Sequence, residues 1–315
     1  VRALAAARSH GQAAEKGEDM SKRSIIVFLA TLLLVSWAWQ CVMLLFVGNP
    51  DSDAAMPWLV ALMFSPTLAA VVYRYAFNRE AFRFVSFRPG NPAYVLLGAL
   101  IPTVTGMVVV GVVLLAGWGT SEYFAFSGST VEITRGPWLL GTGVQTWPLF
   151  AANVAATAVA FAAINAIPAF GEEFGWRGFL QKHMIDRFGL TQGVCMLGLV
   201  WAFWHLPAIL AGYNYPQTPA LGGFVLFPLL LTADSFVMAW LTLRARSFWP
   251  AVLMHGSING MHEGVCTNLT LAQGIHRLHV DLIAILVSAA VAAICIWAMR
   301  RREARSVVSP AAVPA

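Results

Sequence analysis

Pro168-Ala-Phe-Gly-Glu172-Glu173-Phe-Gly-Trp-Arg177-Gly-Phe-Leu180 places two carboxylates and a guanidinium inside an otherwise apolar run. Charge in a hydrocarbon-compatible segment is costly, and where it occurs it faces a protein interior or an aqueous cavity and serves function. The chain as a whole is of the same kind. Of its 315 residues, 58% are hydrophobic and only 11% are charged, against about 25% in a soluble domain. The run therefore reads as part of a membrane helix that carries reactive groups. Two histidines, His205 and His255, stand in later apolar segments. A carboxylate pair with two histidines inside a membrane suggests hydrolysis.

Apolar windows of spanning length, roughly 20 residues, lie at 24–48, 54–73, 92–118, 147–182, 190–211, 222–243, 248–262 and 280–299. No strand-like alternation argues for a barrel. Of the 20 Lys and Arg, 17 fall in the N-terminal stretch, the alternate connections and the C-terminus, while Arg135 and Arg277 fall on the other side and Arg177 stays inside the fourth window. Such a bias places the basic side in the cytosol. The expectation is an all-α polytopic membrane protein of eight transmembrane helices with both termini cytosolic. Its single membrane domain covers 24–300, with a catalytic core at 147–262. A disordered cytosolic tail precedes it at 1–23 and a cytosolic tail follows at 301–315.

Met20-Ser-Lys-Arg, ahead of the first apolar run, reads as an alternative translation start, and that run, lacking a small-residue cleavage site, reads as a retained anchor. The net charge of +5 reflects topology, so nucleic acid is not an expected partner. The expected partners are the lipid bilayer and a peptide or membrane-protein substrate. Four cysteines at wide spacing, without CxxC, read as free core thiols. The Gly/Ser/Thr-rich stretch 119–146 is the longest outer connection and reads as a short cap or a plain loop. The stretch 82–91 reads as an interfacial segment with basic and aromatic anchors.

Depth along the helices gathers the polar groups. Counted from the basic ends at 1.5 Å per residue, Glu172 lies about 15 Å in, His205 about 18 Å, His255 about 10 Å and Asn259 about 16 Å. Four polar groups from three helices thus share one layer, expected to open toward the cytosol. Glu173 and Arg177, at i and i+4, share a helix face and pair. Glu172, about 100° around the helix, is left for another task. His255 and Asn259 repeat the i, i+4 spacing, as do Trp201 and His205, and Pro207 favours a kink beside the site. Asp234, in the middle of the sixth window, reads as a packing acid that pairs with Asn153 or Asn165 or lines the cavity. His262, Glu263, His276 and His279 read as solvated outer-side residues.

Glu172-Glu173-Phe-Gly-Trp-Arg177, Trp201-Ala-Phe-Trp-His205 and His255-Gly-Ser-Ile-Asn259 resemble the three motifs of the CPBP family, EExxxR, FxxxH and HxxxN. That family comprises the type II CAAX prenyl endopeptidases with bacterial Abi and bacteriocin-processing relatives. The resemblance covers about 147–262, and Trp201 stands where the family pattern has Phe. It implies a glutamate-dependent intramembrane protease. Glu172 would be the general base, with His205 sharing its water. His255 and Asn259 would donate to the oxyanion, and Glu173 with Arg177 would position Glu172.

No metal or other cofactor is expected. The alternative is a zinc site built on Glu and two His, without the HExxH pattern. A non-catalytic membrane scaffold or immunity protein on the same frame is the other rival. A proton-coupled transporter would show inverted repeats, which the sequence lacks. The expected location is a bacterial cytoplasmic membrane.

Overall fold

The structure is a computed structural model that describes residues 20–79 and 82–308. Most of the expected N-terminal tail, residues 1–19, and the end of the expected C-terminal tail, residues 309–315, lie outside the described residues.

The chain is mostly helical. Helix α1 covers Lys22–Val47, α2 Met56–Met63, α3 Ser65–Ala76 and α4 Pro92–Leu115. After four short strands, α5 covers Trp147–Ile164 and α6 Ala166–Glu173; a π-helical stretch, Phe174–Leu180, then leads into α7 at Gln181–Phe188. Next come α8 at Leu190–Trp204, α9 at Leu206–Leu210 and the short α10 at Pro219–Leu221. A second π stretch, Gly222–Leu226, leads into α11 at Phe227–Ala245, and α12 at Trp249–Ser257 runs into a third, Ile258–Cys266. The last helix, α13, covers Arg277–Val308 and so carries helical structure into the segment expected as a tail.

Among the described residues six helical segments are long and apolar enough to cross a membrane, and the apolar Leu190–Trp204 is shorter. Their outward faces are greasy: Leu45 and Leu115 are each more than 80% exposed, as suits lipid-facing positions.

Sequence fixes the ends and the breaks. The Ser21 hydroxyl caps α1 by accepting from the Ser24 N–H, and the Asn91 side chain caps α4 ahead of Pro92. Three helices bend where a proline follows: at Phe64 before Pro66, at Asn165 before Pro168 and at His205 before Pro207. Proline has no N–H to donate and its ring crowds the carbonyl four residues back, so the ladder opens there. The expected single window 147–182 is for this reason a bent pair, α5 and α6, joined at Asn165. Two glycines permit close packing around the site. A Cβ at Gly175 would lie 2.4 Å from the Pro66 backbone, and one at Gly98 would lie 2.3 Å from the Pro250 carbonyl.

The outer connection is a β cap. Strands β1 (Gly119–Ser121) and β5 (Leu269–Leu271) pair antiparallel, while β2 (Phe124–Ser127), β3 (Thr130–Ile133) and β4 (Gly143–Thr146) form a second antiparallel sheet in that order. Phe124, Val131, Ile133 and Trp138 pack on Phe150 of α5 to form a core of their own. At the opposite, basic end, Phe82 and Phe87 of the 82–91 segment pack on Phe174, with ring centroids 5.1 and 5.6 Å apart, and Phe87 also meets Phe248. Trp249 Nε1–H and Ser247 Oγ–H donate to the carbonyls of Phe87 and Arg88, which ties this segment under the helices.

Candidate active site

The carboxylate pair sits where α6 passes into the π-helical stretch, an irregularity common at functional sites. Glu173 is 0% and Glu172 1% exposed. Glu173 Oε1 accepts from Arg177 Nη1 at 3.0 Å and from His255 Nδ1 at 2.9 Å. Arg177 Nη2 donates to Ser235 Oγ at 2.9 Å, and the guanidinium lies 4.0 Å from the centre of the Trp201 ring. Buried charge is tolerated when it is paired and hydrogen-bonded; Glu173 Oε1 and the two Nη atoms of Arg177 are held in this way, while Glu173 Oε2 and Arg177 Nε have no hydrogen-bond partner among the described residues. The cluster extends the i, i+4 pair to His255, a contact that helix spacing does not reveal.

Glu172 is held differently. Its Oε2 accepts from Trp201 Nε1 at 2.7 Å and from Trp176 Nε1 at 3.3 Å. Indole N–H groups only donate, so Oε2 must be an unprotonated acceptor. Oε1 lies 4.0 Å from His255 Nε2. Trp201 thus touches three members of the site, its ring also lying 5.4 Å from that of His255. The indole N–H does what a Phe at this position could not do.

His205 stands at the break between α8 and α9. Its Nδ1 lies 2.9 Å from the Trp201 carbonyl. A carbonyl only accepts, so the proton is on Nδ1 and the neutral ring keeps an acceptor at Nε2. The backbone opened by Pro207 is closed from α1. Trp37 Nε1–H donates to the Phe203 carbonyl at 2.8 Å, and Gln40 Nε2–H to the Trp204 carbonyl at 2.8 Å. The Gln40 oxygen accepts from the Ala208 N–H at 3.1 Å. One side chain therefore spans both sides of the break. Satisfying such groups internally is obligatory where water is excluded.

Glu172, His205, His255 and Asn259 line one cavity of about 310 Å³, together with Trp201, Trp204 and Asp234. Glu173 and Arg177 do not line it. The cavity continues past this layer to Asn214, Glu263, Thr267 and Arg277, away from the basic ends. The cavity, expected to open toward the cytosol, thus extends the other way, and on the basic side a separate cavity of about 350 Å³ is lined by Phe84, Val85, Arg177, Gln181 and Phe248.

Asp234 lines the cavity with Ser288 of α13. Asn153 instead holds the outer loop through Leu140 and Gly141, and Asn165 donates to Phe161. His262 and Glu263, expected to be solvated, line the cavity because the π stretch prolongs α12 past Asn259. Trp37, Gln40 and Trp176 escaped the sequence reading. The available signal was the i, i+4 pair Ser36 and Gln40 in an apolar helix.

Glu172, Glu173 and His255 each offer a ligand atom, all within 4.8 Å of one another. That geometry is compatible with a metal. The Arg177 guanidinium, bonded to the same Glu173 oxygen that His255 uses, opposes a second positive charge there.

Residues 150–261 match the family model described as type II CAAX prenyl endopeptidase Rce1-like. The chain is also similar to CAAX prenyl protease 2 of Methanococcus maripaludis, 27% identical over 92 residues, which cover 28% of this chain and 34% of that protein. The match thus spans about a third of that relative's length. Glu172, His205, His255 and Asn259 all lie within the residues matched by the Rce1-like model, and both likenesses support the resemblance of this segment to the CPBP family.

Proposed function

We propose that the chain is an intramembrane endopeptidase in which Glu172 activates a water against a peptide carbonyl. The observation that carries this reading is the asymmetry of the Glu172 carboxylate. Two indoles hold Oε2, while Oε1 is left facing His255 Nε2 across 4.0 Å, a gap that one water bridges. Oε1 takes a proton from that water as the water oxygen bonds to the carbonyl carbon. The Nε2 lone pair of His205 accepts the second water hydrogen and so orients the attack.

The carbonyl π electrons move onto oxygen. Asn259 and the imidazolium form of His255 donate hydrogen bonds to that oxyanion, each worth about 3 kcal/mol. On collapse the C–N bond breaks, and the proton on Glu172 passes to the leaving nitrogen. Glu173 and Arg177 act behind the reaction, fixing the His255 ring through Nδ1. The mechanism calls on no metal.

The frame proposed for this chemistry has eight helices, with the basic ends and both termini in the cytosol of a bacterial cytoplasmic membrane. On that orientation the long part of the cavity lies toward the far leaflet. The substrate is a hydrophobic, lipidated or leader-type peptide. The direction of the cavity favours a leader or membrane segment over a chain end presented from the cytosol.

Comparative profiling of N-termini in membranes from wild-type and Glu172→Gln cells tests the reading. New N-termini that require Glu172 are expected. Identical profiles from two equally abundant proteins would favour a non-catalytic scaffold instead.

A further inference from the structure

The cavity does not end at the catalytic layer, and its continuation is acidic. Beyond Glu172 its wall carries Asp234 from α11, Glu263 from the third π stretch and Asp281 from α13, against one arginine, Arg277. That arginine is already engaged: Nε lies 3.5 Å from Asp281 Oδ1, and Nη1 donates to the Thr267 carbonyl at 2.8 Å. Asp234 shares the wall with Ser288. No hydrogen bond to the Glu263 carboxylate is formed by the described residues, although it sits in a wall otherwise built from helices. The side chain is half-buried and open to the cavity, so an incoming cation is the partner that would offset its charge.

The shape of the cavity says what could bring one. Along α13 the wall runs from Arg277 to Val291, about 21 Å at the helical rise. That is the length of about six residues of extended peptide. His255, Asn259 and Glu263 all line the cavity on the same helical run, at i, i+4 and i+8. Glu263 therefore lies about 12 Å beyond His255, or three to four extended residues from the bond being cut.

Resting on the protease reading above, we infer that the cavity selects an extended peptide bearing Lys or Arg three or four residues from the scissile bond, with Glu263 as its carboxylate partner. Asp234, nearer the catalytic layer, adds to the negative field without being the point of contact.

The test uses the full chain in lipid nanodiscs and quenched-fluorescence peptides. A neutral apolar frame is compared with versions carrying a single Lys at each position. A lysine at the third or fourth position on one side of the cut is expected to raise kcat/KM about 10- to 100-fold, the range of a hydrogen bond to a charged group. Acetylation of that lysine, which keeps its length and removes its charge, should abolish the gain. In Glu263→Gln the ratio of lysine to neutral peptide should fall to about 1. Cleavage of all peptides at equal kcat/KM overturns the inference and leaves the protease reading standing. If wild type cleaves none of them, the protease reading itself fails and the inference goes with it. Should the Gln variant not fold, the lysine scan and the acetylated peptide on wild type still decide.

Discussion

Glu172 and Glu173 are neighbours in the chain and opposites in their surroundings. Glu173 is closed in by a guanidinium and an imidazole, which both bond one of its oxygens, and it is shut off from the cavity. Glu172 has one oxygen anchored by two indoles and stands in the cavity wall. Consecutive residues on a helix point about 100° apart, so one turn can supply a structural charge and a reactive one. The back of the layer is held by an ion pair and an imidazole away from the cavity, while the front leaves one carboxylate oxygen facing it. This is how a reactive group is pre-organised on a packed scaffold.

The predictions either break this division or sharpen it. Glu172→Gln keeps the shape of the front and removes its base. Cleavage should fall by about 10² to 10⁴-fold with the thermal midpoint in detergent nearly unchanged, as read by paired activity and melting assays. Arg177→Leu attacks the back. Leaving Glu173 buried without its cation should cost about 3–5 kcal/mol of stability, seen as a large drop in melting temperature with activity falling because folding fails. If the two variants showed the same pattern, the division between front and back would be wrong.

Gln40→Leu probes the support of His205 from outside the matched segment. It orphans the Trp204 carbonyl and the Ala208 N–H, each a loss of about 1–3 kcal/mol. We expect a lower melting temperature and a fall in kcat greater than any rise in KM, because a break that is no longer clasped misaims the imidazole. Trp201→Phe is gentler, removing the N–H bonded to Glu172 while keeping an aromatic face for Arg177. A fall in kcat of about tenfold is expected with KM little altered. The smallest effect is expected from chelation: incubation with phenanthroline should leave cleavage unchanged, and loss of activity restored by zinc would reassign Glu172, Glu173 and His255 as ligands.

Much of this arrangement is legible in the sequence because helix periodicity is simple. The spacing of Glu173 and Arg177 gives their contact, and the apolar windows give most of the helices. Comparable depth from the basic ends, about 10–18 Å, matches the placing of Glu172, His205, His255 and Asn259 in one cavity. What is not legible depends on contacts between distant segments. Nothing local shows that Nδ1 of His255 turns to Glu173, or that Trp37 and Gln40 close a break about 165 residues away in the chain.

The β cap is legible only as a loop or cap, since Phe124, Val131 and Ile133 alternate over runs too short to declare strands. Glu263 falls just past the apolar window that ends at 262, whereas the π stretch carries the helix to Cys266. The direction of the cavity is hidden for a related reason. Charge counts locate the basic side but say nothing of how Phe84, Arg177 and Phe248 pack there around a cavity of their own.

The central claim is that the Glu172 carboxylate activates water in the cavity it lines with His205, His255 and Asn259. Its most direct test is mass spectrometry of a cleavable peptide incubated with purified wild type and with Glu172→Gln in nanodiscs, in ordinary and in ¹⁸O-labelled water. Wild type should produce a new C-terminus carrying the label, and the Gln variant, folded to the same melting temperature, should produce almost none. Cleavage by Glu172→Gln at the wild-type rate would contradict the account.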